Sequence, residues 1–499
     1  MDNIATIKIH PTIGIARVGS SPTEFFIGPE LPGERSPPPG GYKDRSNRVK
    51  RQAARFRVFG YDLHGKLVKE LVASDATITW TVHLANKKAA WRRFDGLKHD
   101  APFRNARVKD RHSLIIDPGP LSVSGVHQAV LCDSGMFRST PVPLGEVRTD
   151  DQGRLLVLGG FGRSGSPINA PIRSFANNDG WHDDVSDGPV TAMVMPHNTT
   201  KILHATAAWV IVGPPKFAPA LESITTLYDV LLQVAVDKLG RTLPTRPSFT
   251  QDVYPILARV MNMKWVSQLA GSAHKTLTAV IPPPGADSAR AAIFARLRNP
   301  ADGSGGDMPM IWSDDYGMQP DSRAASRRHA KMGEAENQPI TKVQYRVMEQ
   351  WKDGNFIDDW NGPPAPATEI TPAGLDRAAL EPCVGGPFYP GIEAGWLMRD
   401  VYQFDEPFRL SHKELTAGDI TKQMSVPWQS DFNDCKFEDP LAWWPAQRPD
   451  NVFPARGNTQ VRWTRGIVNS PEAMIKSWYR LGFVVKKGEK YVETERKAK

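Results

Sequence analysis

The sequence predicts an α+β protein with a β-rich, sandwich-like N-terminal half, a helical middle and an irregular C-terminal region. In the first 215 residues, short β-branched and aromatic runs alternate with Gly, Pro and Asp turns. Apolar residues then recur at helical spacing up to about residue 365. Beyond that point prolines, glycines and tryptophans interrupt most regular patterns. We therefore expect a sandwich-like domain at 1–215, a mainly helical region at 216–365 and an irregular region at 366–499.

Individual elements follow the same logic. The strand candidates are "TIKIHP", "ATITWTVHLA", "HSLIIDPGP", "RLLVLGG" and "AAWVIVGPP". The helix candidates are "TLYDVLLQVAVDKLG", "TQDVYPILARVMNMKWVSQL" with an interruption near Pro255, "SARAAIFARLRNP", "ITKVQYRVMEQWKDG" and "SPEAMIKSWYRLGFVV". Ser470 is the expected N-cap of the last helix.

Composition excludes several classes of protein. The 499 residues carry a net charge of +8, from 62 basic and 54 acidic side chains. The basic residues do not alternate with aromatics, so we expect no nucleic-acid binding. No run of 18 apolar residues occurs and no secretory signal is visible, which predicts a cytoplasmic protein without membrane spans and leaves unconventional export open. The three cysteines lie far apart, which argues against disulfides and structural zinc.

A polar, glycine-rich stretch at 161–188 is too hydrophilic for a core element and is interpreted as a long functional loop. It ends in "WHDDVSDG", where Asp183, Asp184 and Asp187 follow one another closely. We interpret these carboxylates as part of a turn. A cation site and an active-site wall are the alternatives, but the spacing lacks the full ligand pattern of a calcium loop.

The stretch "DFNDCKFEDPLAWWPAQRPD" at 431–450 places Asp431, Cys435, Trp443 and Trp444 close together. A free thiol beside core aromatics is the simplest interpretation. However, an indole ring can be oxidised, a thiol can add to it as a thioether, and a carboxylate can accept the protons released. No dinucleotide-binding fingerprint occurs in the chain. These residues could therefore form a redox cofactor from the protein itself.

Long motifs along nearly the whole chain resemble the lysine ε-oxidase/glycine oxidase family, whose members carry a cysteine tryptophylquinone. They include "IHPTIGIARVG" (9–19), "WTVHLANKKAAW" (80–91), "CVGGPFYPGIE" (383–393), "DITKQMSVPWQSDFNDC" (419–435) and "WWPAQRPDNV" (443–452). The resemblance implies that Cys435 is crosslinked to Trp444, which bears the quinone oxygens. Trp443, Trp463 and Trp478 rank below Trp444 for this role.

The resemblance also implies an activity, the oxidative deamination of an amino acid with O₂ reduced to hydrogen peroxide. Asp431 would serve cofactor formation and then act as the catalytic base, for which a raised pKa or desolvation by substrate is expected. Phe175 and Tyr389 match substrate-pocket positions of the family. The lysine oxidase has tyrosine and cysteine there, so lysine specificity does not transfer directly. Ordinary aromatic packing is the alternative for both residues.

Partners follow from the same resemblance. Members of the family depend on a separate flavoprotein for cofactor maturation and form homo-oligomers, and we expect both here. Two alternative functions stay open. One is a quinone-dependent amine dehydrogenase that passes electrons to a protein acceptor, and the other is a non-catalytic binding protein on the same scaffold.

Overall fold

The structure is a computed structural model that describes residues 3–93, 101–197, 199–273, 287–306, 340–385, 394, 396–434 and 445–497. In chain order the strands are β1 (Thr6–His10), β2 (Ile13–Arg17), β3 (Phe25–Ile27), β4 (Arg51–Tyr61), β5 (Leu67–Leu71), β6 (Ala76–Val82), β7 (Leu121–Ser124), β8 (Ala129–Cys132), β9 (Met136–Phe137), β10 (Thr140–Pro141), β11 (Gly145–Thr149), β12 (Leu155–Gly159), β13 (Ser164–Gly165), β14 (His182–Asp183), β15 (Ser186–Pro196), β16 (Leu203–His204), β17 (Ala208–Gly213), β18 (Phe404–Glu406), β19 (Arg409–Leu410), β20 (Asn451–Val452), β21 (Val461–Arg462), β22 (Phe483–Lys487) and β23 (Lys490–Thr494).

One 13-stranded sheet organises the N-terminal half, as the β-rich prediction requires. Its main path runs β7-β6-β15-β17-β2-β4-β12-β11-β8, and β7 lies against β8, so the sheet is nearly closed. The central strands β2, β12 and β17 are buried along their whole length. Their near-continuous apolar sequences follow from this, because a strand covered on both faces has no solvent side.

Helices form at the stretches predicted to be helical, and two more, at 372–380 and 428–434, lie in the region predicted to be irregular. They are α1 (Leu227–Lys238), α2 (Tyr254–Asn262), α3 (Gln268–Ala273), α4 (Asp287–Phe294), α5 (Lys342–Lys352), α6 (Pro372–Leu380), α7 (Trp428–Asp434) and α8 (Pro471–Ser477). Thr226 and Thr341 cap α1 and α5 with complete capping boxes, and Ser470 caps α8 as predicted. A π-helical turn precedes Pro255, which explains the predicted interruption. Among the described residues, none of these helices is long and apolar enough to cross a membrane.

The C-terminal region rests on the sheet through the short segment that follows β17. The amide of Phe217 donates to the carbonyl of Gln447, and the carbonyl of Phe217 accepts from the amide of Val484. The side-chain amide of Gln447 also donates to the carbonyl of Pro215 over 2.9 Å. These bonds attach chain segments that are distant in sequence to the residues just after β17. This is why a region with little regular structure is nevertheless well packed.

Gly188→Ala should strongly destabilise the protein. A β-carbon at position 188 would lie 1.7 Å from the carbonyl oxygen of His83, the residue that follows β6. Because β15 pairs with β6 along most of that strand, neither chain can move aside easily. We expect a loss of about 3 kcal/mol in the free energy of unfolding, measured by chemical denaturation.

Gly65→Ala is the control. No atom lies within 4 Å of the added β-carbon there, and only the positive φ of 75° is strained. We expect this variant to lose about 1 kcal/mol. Equal losses in the two variants would contradict the steric explanation.

Candidate active site

The acidic stretch "WHDDVSDG" is buried and consists mostly of two strands, which corrects its interpretation as part of a turn. His182 and Asp183 form β14, and Asp187 lies near the start of β15. Asp183 and Asp187 have no solvent exposure, and Asp184 has 1%. The sequence is polar here because Asp183 and Asp187 accept hydrogen bonds from the C-terminal region and Asp184 accepts one from the amide of Arg163. The prediction took this polarity as a sign that the stretch is not part of the core.

Asp183 forms an ion pair with Lys88 in which neither side chain is exposed to solvent. The ammonium nitrogen of Lys88 lies 2.7 Å from Asp183 Oδ2 and donates a second hydrogen bond to the carbonyl of Ser425 over 2.8 Å. Asp183 Oδ2 also accepts the backbone N–H of Trp428 at 2.9 Å. Asn86 donates to Asp183 Oδ1 at 3.0 Å. Burial lowers the pKa of Lys88, and the carboxylate of Asp183 opposes that shift.

Asp431 lies on α7, which begins at the amide that Asp183 caps. Its side chain is 4% exposed, so the predicted base is removed from bulk water. Trp428 and Phe432 on the same helix pack edge to face at 5.0 Å, and Trp428 also contacts Trp478 at 5.4 Å. The aromatic side chains anchor the helix and so determine where Asp431 lies.

Phe175 lies directly beside this helix. Its carbonyl oxygen accepts the hydroxyl of Ser430 at 2.7 Å, and its own side chain is half-buried. Asn178 strengthens the contact by donating to the carbonyl of Val426 over 3.0 Å. The structure therefore brings two of the predicted site residues, Phe175 and Asp431, to adjacent positions although they are far apart in sequence.

Cys435, Trp444 and Tyr389 lie outside the described residues. The first two are the ends of the segment 435–444, and the residues that flank this segment, up to 434 and from 445, are described. Nε of Arg448 donates to the carbonyl of Phe432 over 2.5 Å. Arg448 also donates to the carbonyl of Pro449 and is 3% exposed. The side chain of Arg448 therefore links the two residues that flank the segment 433–447.

The competing tryptophans Trp463 and Trp478 have structural partners. The indole N–H of Trp463 donates to Gly482 and that of Trp478 to Gly162, at 2.9 and 3.1 Å. Both rings are almost fully buried, and Trp463 packs edge to face on Phe217. This agrees with the predicted packing role of Trp478.

Burial disfavours the ionised form of two carboxyl groups, those of Asp184 and Asp187. Burial raises the pKa of Asp184 to about 7, against the opposing hydrogen bond from the Arg163 amide. Burial also raises the pKa of Asp187 to about 6, although Thr421 and the indole N–H of Trp209 donate to it. Within the described part of the chain, Oδ1 of Asp184 accepts no hydrogen bond. The interior beside α7 thus disfavours negative charge.

Four residues of this site were missed from the sequence: Lys88, Asn178, Ser430 and Arg448. Each makes a hydrogen bond across a sequence distance that no local pattern encodes. The available signal was their position in the family motifs, since Lys88, Ser430 and Arg448 lie in "WTVHLANKKAAW", "DITKQMSVPWQSDFNDC" and "WWPAQRPDNV".

Comparisons with known proteins identify the family. Residues 10–212 match the family model "L-Lysine epsilon oxidase N-terminal", and residues 324–463 match "L-lysine epsilon oxidase C-terminal domain". The L-lysine 6-oxidase of Marinomonas mediterranea is 28% identical over an alignment that covers 87% of this chain and 71% of that protein.

Solved structures show the same fold. Crystal structures of the L-Lys ε-oxidase from Marinomonas mediterranea, one of them its Schiff base intermediate with L-Lys, superpose with a TM-score of 0.79 at 24% identity. The match covers 98% of this chain and 95% of that chain. The fold and the matched sequence define an oxidoreductase of the amino-acid oxidase class. The chain belongs to the L-lysine ε-oxidase family.

Asp184→Asn should stabilise the protein more at pH 8 than at pH 5. The pKa of Asp184 is about 7 in the folded protein and about 3.9 in an unfolded chain. Between those values the folded state binds more protons, so the contribution of this group to stability falls as the pH rises toward 7. A neutral amide removes that dependence. Urea unfolding at pH 5 and pH 8 measures the effect. We expect the free energy of unfolding to rise by at least about 1 kcal/mol at pH 8.

Asp302→Asn is the control, because hydrogen bonds from Ser304 lower the pKa of this exposed carboxyl. It should give no gain at pH 8. A difference between Asp184→Asn and the parent that does not change with pH would contradict the buried, protonated carboxyl.

Proposed function

We propose that the protein oxidatively deaminates a primary amine of an amino acid with a cysteine tryptophylquinone formed from Cys435 and Trp444. The products would be an aldehyde or oxo acid, ammonia and hydrogen peroxide, with O₂ and water consumed. The observation that carries the proposal is the placement of Asp431. This carboxylate is buried on a helix that Phe175 contacts, four residues before Cys435.

The flanking structure fits a crosslink between Cys435 and Trp444. The hydrogen bond joins the side chain of Arg448, four residues after Trp444, to the backbone carbonyl of Phe432, three residues before Cys435. An extended chain reaches about 3.5 Å per residue, so Cys435 lies within roughly 11 Å of Phe432 and Trp444 within roughly 14 Å of Arg448, measured between Cα atoms. This link between the flanking residues supports a thioether within the segment.

In the mechanism the quinone, once formed, would supply the electrophilic carbonyl and accept two electrons from the substrate. Asp431 would remove the proton from the carbon that bears the amine. Its burial favours this step because a desolvated carboxylate is a stronger base than a hydrated one.

We infer that two residues that line the pocket, Phe175 and Tyr389, select the substrate. Phe175 is half-buried and its backbone contacts α7, the helix that carries Asp431, which supports its assignment as one wall. Tyr389 would be the second wall. Since a tyrosine is larger than a cysteine at this position, we infer that the pocket accepts amino acids that are smaller than lysine or differently shaped.

Maturation and assembly are part of the same proposal. We infer that a separate flavoprotein oxidises the precursor and that the mature protein is a homo-oligomer acting in the cytoplasm. An amine dehydrogenase with a protein acceptor would differ in failing to consume O₂, and a binding protein on this scaffold would lack the quinone altogether.

Protein produced together with its flavoprotein should carry the cofactor. Relative to the unmodified chain, a peptide that links Cys435 to Trp444 should gain two oxygen atoms and lose four hydrogen atoms, as measured by intact mass and peptide mapping. Peroxide should form with amino acids. An unmodified mass with a free Cys435 thiol would contradict the proposal, and a modified mass without O₂ uptake would favour the dehydrogenase.

Asp431→Asn should reduce peroxide formation by about 100-fold or more, because an amide cannot accept the substrate proton. Asp434→Asn, an exposed carboxylate on the same helix, is the matched control and should retain activity within about twofold. Equal activity of the two variants would exclude Asp431 as the base.

Tyr389→Cys should raise kcat/KM for L-lysine relative to smaller amino acids by about tenfold or more, the effect expected when a pocket is enlarged. The control is Tyr402→Cys, at a tyrosine that is 78% exposed. The inference about pocket size fails if Tyr389→Cys and the parent have the same relative activity on every amino acid tested.

A further inference from the structure

The buried pair of Lys88 and Asp183 holds the chain on both sides of the turn that leads into α7. Lys88 binds the carbonyl of Ser425 and Asp183 binds the amide of Trp428, over 2.8 and 2.9 Å. Their charged atoms lie 2.7 Å apart. The two side chains therefore hold the backbone at Ser425 and at Trp428, three residues apart, and they are also bound to each other.

This arrangement restricts the helix more than ordinary packing does. The first amides of a helix have no partner within the helix, so the acceptor that binds them determines where the helix begins. Here the acceptor is a carboxylate that water cannot reach, and its charge is balanced only if Lys88 keeps its position. Displacing α7 would separate opposite charges in a medium of low dielectric constant, which is costly.

Asp431 lies three residues after Trp428, less than one helical turn away. On its other side Ser430 is bound to Phe175, and Val426 is bound to Asn178. The part of the helix that carries Asp431 is thus enclosed between the ion pair and the Phe175 segment. A small rotation at Trp428 would be transmitted directly to the carboxylate of Asp431.

We propose that Lys88 and Asp183 are positioning residues for the catalytic base Asp431. This inference rests on the proposed function and extends it to two side chains that would not touch the substrate. The pair keeps the carboxylate of Asp431 at a defined distance from the reacting carbon. Proton transfer depends steeply on that distance, and substrate binding by the pocket walls does not.

The test compares Lys88→Met, Asp183→Asn and the charge-neutral double variant Lys88→Met/Asp183→Asn with the parent, all matured with the flavoprotein. Rates are divided by quinone content, so that incomplete maturation does not count as slow catalysis. Each single variant should lower kcat per quinone about tenfold or more, while KM changes less than about threefold. The double variant should be no slower than the slower single variant, because the two side chains act as one unit.

Asp187→Asn is the matched control. Asp187 is an equally buried carboxylate close by along the chain, but its partners are Thr421, Ile420 and Trp209 and not α7. It should keep kcat per quinone within about twofold even if its melting temperature falls. Thermal unfolding of all variants separates loss of stability from loss of turnover.

Several results would overturn the positioning role. One is unchanged kcat per quinone in the folded single variants, and another is an equal loss in Asp187→Asn. Failure of all three variants of the pair to fold would make Lys88 and Asp183 determinants of the fold only. A parent that has neither quinone nor peroxide formation would instead overturn the proposed function, and this inference with it.

Discussion

A lysine and an aspartate without solvent exposure join the two halves of this protein. Lys88 follows the strand β6, Asp183 lies on β14, and the two side chains also bind Ser425 and Trp428 in the C-terminal region. An isolated buried charge would cost several kcal/mol, so each group depends on the other and on the backbone atoms they share. Those backbone atoms belong to the turn before α7 and to its first residue. The buried charges are therefore neutralised only when the helix is in this position.

The C-terminal region has little regular structure of its own and obtains its order from the sheet. Asp187 binds the amides of Ile420 and Thr421, and Asn178 binds Val426. The amide of Phe217, just after β17, binds Gln447. These contacts are polar and directional, which determines register and orientation more sharply than apolar contact alone. The arrangement suits a site whose reactive groups must be held at defined positions while the surrounding chain stays irregular.

The electrostatics of this interior follow from burial. Desolvation raises the pKa of Asp184 to about 7 and of Asp187 to about 6, and it lowers the pKa of Lys88. All three shifts favour neutral groups. In such surroundings a carboxylate that is kept ionised is a strong base, and a developing charge on a substrate is weakly screened. The same low dielectric makes the Lys88–Asp183 contact strong, so the chemistry and the architecture have one physical origin.

The sequence by itself determined the fold class, the β-rich and helical regions, the N-cap Ser470 and the family, because these depend on local periodicity, turn chemistry and long motifs. It also indicated Asp431 and Phe175. The structure places them on adjacent segments, which are joined by the hydrogen bond from Ser430 to the carbonyl of Phe175. Only the tertiary structure decided that the acidic stretch at 181–188 is buried and that Lys88 and Arg448 hold the chain around Asp431. A single polar residue looks the same in sequence whether it faces water or a distant backbone amide. Its partner is selected by the packing of the whole sheet, which no local pattern records.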